Sequence, residues 1–183
     1  QYENTMLIFV GDNGTNSNIV TQTIDGDYPG GKGRLKDNGT HVPMILSWPA
    51  GGMSGEISDD LIEFSDFLPT FAQAAQVKIP RNIDGQSFLN FISGKTFTPR
   101  QTIFIHYYPN TTKTSNRNGC FVRTTQYKLY SDGRIFNMEK DKWEEEPLDV
   151  SKLDHNQIAA YDHLTAELKN KPIWDFNVPH REK

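Results

Sequence analysis

Residues 6–10, Met-Leu-Ile-Phe-Val, form one continuous run of apolar β-formers that Gly11-Asp12-Asn13-Gly14 ends abruptly. A run so short and uniformly apolar reads as a strand buried on both faces, which belongs in a mostly parallel sheet covered by helices. Asp12 and Asn13 then stand just past the carboxyl end of the strand, the edge at which open α/β sheets hold their ligands. A carboxylate beside an amide carbonyl supplies hard oxygen donors, which suit Ca²⁺ or Mg²⁺ better than zinc or copper. Two donors fall short of the roughly six to eight that Ca²⁺ takes, and Asp-Asn-Gly is equally an ordinary turn sequence, so more of the chain must bear on the choice.

Gly30-Gly-Lys-Gly33 places one long cation among glycines, an arrangement in which backbone approaches an anion closely while Lys32 adds a point charge. No Ser or Thr follows Lys32 and the Walker spacing is absent, so this is not a nucleotide P-loop. Residues 42–48 make a second apolar strand, with Pro43 and Pro49 restricted to an edge or to its ends.

Taken in order, Val10-Gly-Asp-Asn-Gly14, Gly30-Gly-Lys-Gly33, Asn38-Gly39 and Val42-Pro43 through Trp48-Pro49 resemble the second half of a type I sulfatase, the formylglycine-dependent family of the alkaline phosphatase superfamily. Ser65-Asp-Phe-Leu-Pro-Thr70, Ile83-Asp-Gly-Gln-Ser87 and Val122-Arg-Thr-Thr-Gln-Tyr-Lys-Leu-Tyr130 continue the series over about residues 5–150. The resemblance implies that Asp12 and Asn13 are ligands of the active-site divalent cation, Ca²⁺ with Mg²⁺ as the alternative, and that Lys32 contacts the sulfate group. It further implies a sulfated small molecule or glycan as substrate, and a periplasmic, secreted or lysosome-like location. Asp37-Asn38-Gly39 replaces the family's Glu-Gly-Gly, and His41 its Arg before Val-Pro. These departures fall on positions read as structural.

The family's nucleophile is a formylglycine made from Cys or Ser in a Cys/Ser-x-Pro/Ala-x-Arg pattern, and no such pattern occurs here. The single cysteine, Cys120, is followed by Phe121-Val122-Arg123 and reads as a buried strand thiol. The resemblance therefore places the nucleophile, the remaining metal ligands and the half that carries them upstream of Gln1, and predicts that this chain alone is inactive. A phosphonate or phosphate monoester hydrolase of the same superfamily would show the same metal and lysine logic. A fragment or paralogue that binds sulfated glycans without turnover is the non-catalytic alternative. With 23 carboxylates against 19 Lys plus Arg and no basic stripe, the chain lacks the footprint of a nucleic-acid binder. No apolar run is long enough to cross a bilayer. Oligomeric state leaves no mark in the sequence.

Farther along, residues 16–27 are polar and aperiodic, a surface loop on the ligand edge. Ser65-Asp66 caps an amphipathic helix that includes Phe67, Leu68, Phe71 and Ala74, and residues 88–92 form a short helix stopped by Gly94. Beyond Pro99 the pattern changes to consecutive strands over 102–108, 120–125, 127–130 and 134–138, with Ser131-Asp-Gly-Arg134 as a hairpin turn. His106, near the end of the first, is a candidate substrate contact, and residues 110–118 a second candidate loop. Residues 139–146 read as a solvated acidic connection. Ile158, Tyr161, Leu164, Thr165 and Leu168 give a helix over 154–169, and Trp174 and Phe176 are placed to pin the tail. The expected fold is thus α/β: residues 1–98 as part of a mostly parallel sulfatase-like sheet with helices, and residues 99–183 as a small antiparallel sheet with a C-terminal helix.

Overall fold

The computed structural model describes residues 1–52, 55–109 and 118–171, so the second candidate loop (from 110 through 117) and the expected pins Trp174 and Phe176 lie outside the described residues. In chain order the elements are β1 (Leu7–Val10), β2 (Val20–Thr23), β3 (Gly26–Pro29), α1 (Asp37–Thr40), β4 (Met44–Ser47), α2 (Phe67–Ala74), α3 (Leu89–Ile92), β5 (Ile103–Tyr107), β6 (Gly119–Arg123), β7 (Tyr127–Tyr130), β8 (Ile135–Asn137) and α4 (His155–Lys169). They gather into two compact units that do not follow chain order: Gln1–Gly11 with Pro43–Ile103, and Asp12–Val42 with Phe104–Lys183. The segment bearing Asp12, Asn13 and Lys32 therefore belongs to the same unit as the small sheet.

In the first unit β1 pairs antiparallel with β4, Leu7 opposite Ser47 and Val10 opposite Met44. A parallel neighbour needs a crossover. The chain between these two strands folds instead as a hairpin, a loop and the four-residue α1. The burial expected on both faces of β1 is not reached among the described residues. With one partner strand, Leu7 and Phe9 remain 61% and 67% exposed on the face they share with Ile45. α2 starts where the sequence places it, running on from a 3-10 turn over Phe64–Asp66 whose capping box has Glu63 and Asp66 each accept the other's backbone N–H. Asp66 also accepts the Gln86 N–H at 2.6 Å and pairs with Arg100, tying the helix start to the segment before α3.

In the second unit the strand order is β5-β6-β7-β8, with β6–β7 and β7–β8 antiparallel. Both faces of this sheet are covered. On one, Val122, Tyr127, Leu129 and Ile135 pack with Leu164 of α4, joined by Phe104, Tyr161 and Leu168. Asp154 caps α4 by accepting the Gln157 N–H at 2.9 Å, while the Gln157 side chain accepts the Asp154 N–H in return. On the other face, Phe121, Tyr130, Phe136 and Met138 pack with Ile105 and with Leu35 from the lysine segment. Cys120 is fully buried in β6, as its reading as a strand thiol requires.

The polar stretch expected to be a loop contains the β2–β3 hairpin, Val20 opposite Pro29 and Thr23 opposite Gly26. Its side chains are exposed apart from Tyr28, so no alternation of apolar and polar residues announces the strands. Gly26, at φ 108°, supplies the left-handed backbone that closes the turn.

Candidate functional site

The segment following Asp12 and Asn13 is bound directly to the lysine loop through backbone. Gly14 N–H donates to Gly39 O at 3.0 Å, Lys32 N–H to Thr15 O at 2.9 Å, and Gly30 N–H to Ile19 O at 2.8 Å. The glycines make this packing possible. A Cβ on Gly14 would stand 2.0 Å from Asn38 O, and one on Gly31 would stand 2.3 Å from Asn38 Oδ1. The expectation that these glycines serve approach to an anion thus needs amendment: Gly30 and Gly31 admit the protein's own backbone. Asn38 is buried and donates from Nδ2 to Pro29 O at 3.1 Å, closing the loop from inside. Lys32 projects from this frame with an exposed side chain that forms no ion pair among the described residues.

Asp12 is exposed and Asn13 partly buried. Their carboxylate and amide oxygens fit a hard divalent cation in kind but supply only part of its coordination. Among the described residues no group of three or more His, Cys, Asp or Glu side chains could hold a metal by itself.

His106 is not brought to the lysine loop. Phe104 packs in the cluster under α4 whereas Ile105 packs in the cluster with Leu35, and alternation along β5 puts His106 on the α4 side. Its ring stacks on Phe104 at 6.1 Å and lies 4.5 Å from that of Tyr108, and burial lowers its pKa. The neighbouring Tyr107 faces the loop instead: its hydroxyl lies 3.8 Å from where a Cβ on Gly33 would stand.

Beneath the loop lies a cluster that sequence reasoning missed. Lys128 of β7 and Glu144 form an ion pair at 2.9 Å with side chains 0% and 1% exposed. Lys128 Nζ also donates to Leu35 O at 2.7 Å, and the Tyr130 hydroxyl donates to Glu144 Oε2 while lying 3.2 Å from Leu35 O. The Asp37 N–H donates to Glu144 Oε1 at 2.7 Å, and Lys36 Nζ to Trp143 O at 2.7 Å. Asp37 itself pairs with Arg123 of β6 and with His41. Burial works to raise the Asp37 pKa, but the His41 hydrogen bond and the Arg123 guanidinium hold it below the usual carboxylate range. The replacements at 37 and 41 are therefore paired with each other. Residues 139–146 are not wholly solvated, because Glu144 turns inward with φ at 55°. The one available signal was Trp143, an aromatic in a charged run, which packs on Tyr28 at 5.1 Å.

Burial pulls the Lys128 pKa from 10.5 down to about 8, against the opposing attraction of Glu144 and Asp37 and with Arg123 as a further cation nearby. Between those two pH values the unfolded chain keeps a proton that the folded one releases. Stability from this group is thus present in full above pH 10.5 and is lost as pH falls through about 8. Tyr130 acts in the opposite sense only above its ordinary pKa of 10, since burial beside Glu144 raises its own. Denaturant unfolding from pH 7.5 to 10 should therefore show wild type gaining about 2 kcal/mol relative to the Lys128→Met/Glu144→Gln double variant. A flat difference would mean that Lys128 does not change charge in this window.

A family model for the C-terminal region of N-sulphoglucosamine sulphohydrolase matches residues 31–172, which takes in the lysine loop, this buried cluster and α4. The chain belongs to the sulfatase family. It is the carboxyl-terminal portion of such a protein. An ulvan-active sulfatase from Formosa agariphila is 36% identical over 93 residues, covering 51% of this chain and 16% of that protein. Among solved structures, a protein in complex with its substrate D-glucosamine-2-N,6-O-disulfate shares the fold at TM-score 0.68 and 20% identity, over 91% of this chain and 34% of its own. The phosphonate monoester hydrolase from Silicibacter pomeroyi superposes less well, at TM-score 0.55 over 77% of this chain and 30% of its own. The sulfatase chain thus spans well under half the length of the relatives it matches.

Proposed function

We propose that this chain contributes a metal-binding strand end and a substrate cation to an enzyme that hydrolyses sulfate monoesters. The observation that carries the reading is the lysine loop: it is locked by backbone hydrogen bonds to the segment after Asp12 and Asn13, yet it leaves the Lys32 ammonium without an ion-pair partner among the described residues. A cation fixed at its root and unneutralised at its tip is suited to an anionic group that gains charge during transfer. Asp12 and Asn13 would hold a Ca²⁺ or Mg²⁺ ion together with ligands from outside this chain, and such an ion polarises sulfuryl oxygens. The formylglycine belongs to the part of the protein that this chain does not contain. The match to sulfatases in sequence, and the lower TM-score of the phosphonate hydrolase, favour a sulfate ester over a phosphorus ester. Sulfated glycans are the substrate class in view, since the Formosa relative is named for ulvan and one fold neighbour was solved with a disulfated glucosamine.

The test is a parallel assay of the full-length protein on aryl sulfate, aryl phosphate and aryl phosphonate esters, with peptide mapping upstream of Gln1 for a Cys or Ser converted to formylglycine. Turnover of the sulfate with formylglycine present supports the reading. Preferential turnover of a phosphorus ester would replace it with the phosphonate or phosphate alternative. Binding of sulfated glycans without turnover of any ester would replace it with the non-catalytic one.

A further inference from the structure

Three consecutive residues that follow the lysine loop are gripped by one buried carboxylate and its partners. Leu35 O accepts from Lys128 Nζ and lies 3.2 Å from the Tyr130 hydroxyl, the Asp37 N–H donates to Glu144, and Lys36 Nζ reaches the carbonyl of Trp143, next to Glu144. Glu144 joins these contacts, because its two oxygens take Lys128 and the Asp37 amide on one side and Tyr130 on the other. Such a hub is a costly way to attach a loop. Burying a cation and a carboxylate repays little unless the geometry is well satisfied, and an apolar contact would serve adhesion equally well. Hydrogen bonds specify position where apolar contacts do not. Lys128 Nζ also sits 4.0 Å from the centroid of the Phe121 ring, so its direction is set from the sheet side as well.

We propose that Glu144, held by Lys128 and Tyr130, is a positioning residue for Lys32: it fixes the register of residues 35–37 and through them the loop from which the Lys32 ammonium projects. This rests on the reading of Lys32 given above. Lys32 lies three residues before Leu35, and the intervening backbone is already bound by Arg34 N–H to Gly31 O at 2.9 Å. A displacement at Leu35 therefore has little slack in which to dissipate. Misplacement of a catalytic group by about 1 Å can cost on the order of 10²-fold in rate.

The experiment uses the full-length protein, with Glu144→Gln and the milder Tyr130→Phe, which keeps ring volume and should fold even if the first variant does not. Amide hydrogen exchange of residues 32–37 and of β6 to β8 is measured beside kcat and KM for an aryl sulfate, normalised to folded protein. Exchange at 32–37 is expected to rise about tenfold or more in Glu144→Gln and several-fold in Tyr130→Phe, with β6 to β8 unchanged. In parallel kcat should fall roughly 10- to 100-fold while KM moves much less. Unchanged exchange at 32–37 overturns the proposal whatever the activity. Raised exchange with kcat intact overturns it too, by showing that the cluster serves stability alone. If wild type turns over no sulfate ester while exchange responds as expected, the sulfatase reading fails and the clamp on the loop stands.

Discussion

Lys32→Ala in the full-length enzyme is expected to lower kcat/KM for a sulfate ester by roughly 10²- to 10³-fold, about 2.7–4 kcal/mol, the cost of removing one preorganised oxyanion donor. The loss should fall on kcat as much as on kcat/KM, because charge on the departing group develops only in the transition state. Stability should hardly move. Lys32 is exposed and makes no ion pair among the described residues, and surface substitutions of that kind change stability by about 0.5 kcal/mol or less. Kinetics and a melting curve on the same preparation therefore separate a lost catalytic contact from a damaged fold. Wild-type turnover in the alanine variant would remove Lys32 from the mechanism.

The second large effect is on stability. Lys128→Met leaves Glu144 as an unpaired carboxylate with 1% side-chain exposure, a change that should cost about 3–5 kcal/mol. Adding Glu144→Gln removes the orphaned charge while retaining an acceptor for the Asp37 amide. The double variant should consequently be more stable than the single one, with a coupling of roughly 1–3 kcal/mol by denaturant titration. Simple additivity of the two substitutions would show that the pair is not coupled, and would weaken the picture of one carboxylate serving several donors.

What could be read from the residues depended on how locally each feature is specified. The strands of the small sheet are written as short apolar runs around Ser131-Asp-Gly-Arg134, and α4 as an Asp154 cap followed by apolar positions at helical spacing. Each is determined by neighbours within a few residues. Glu144 is the opposite case. Followed by Glu145 and Glu146 it has the look of a solvated acid, and its hydrogen-bond and ion-pair partners lie as far as 107 positions away in sequence. The β2–β3 hairpin escaped for another reason, since its strands bury almost nothing and are held by backbone pairing. At the lysine loop the glycines were recognised but their reason was not. Crowding by Asn38 and Asn16 carbonyls is a property of chain segments meeting, which no spacing rule conveys. His106 was singled out for standing near a strand end, where a one-residue difference decides the face; the adjacent Tyr107 is the side chain turned toward Gly33.

The 107-residue separation between Asp37 and Glu144 has a consequence during synthesis. At roughly 5–20 residues per second, the ribosome takes about 5–20 s to make the acid after it has made the amide that the acid will bind. During that interval residues 30–37 exist without the sheet that fixes them, and their shape is settled only when β7 and the turn at Glu144 have been made. The setting of Lys32 is therefore assembled late. Any chaperone or modifying enzyme that acts on the growing chain meets a lysine loop that has not yet taken its final form.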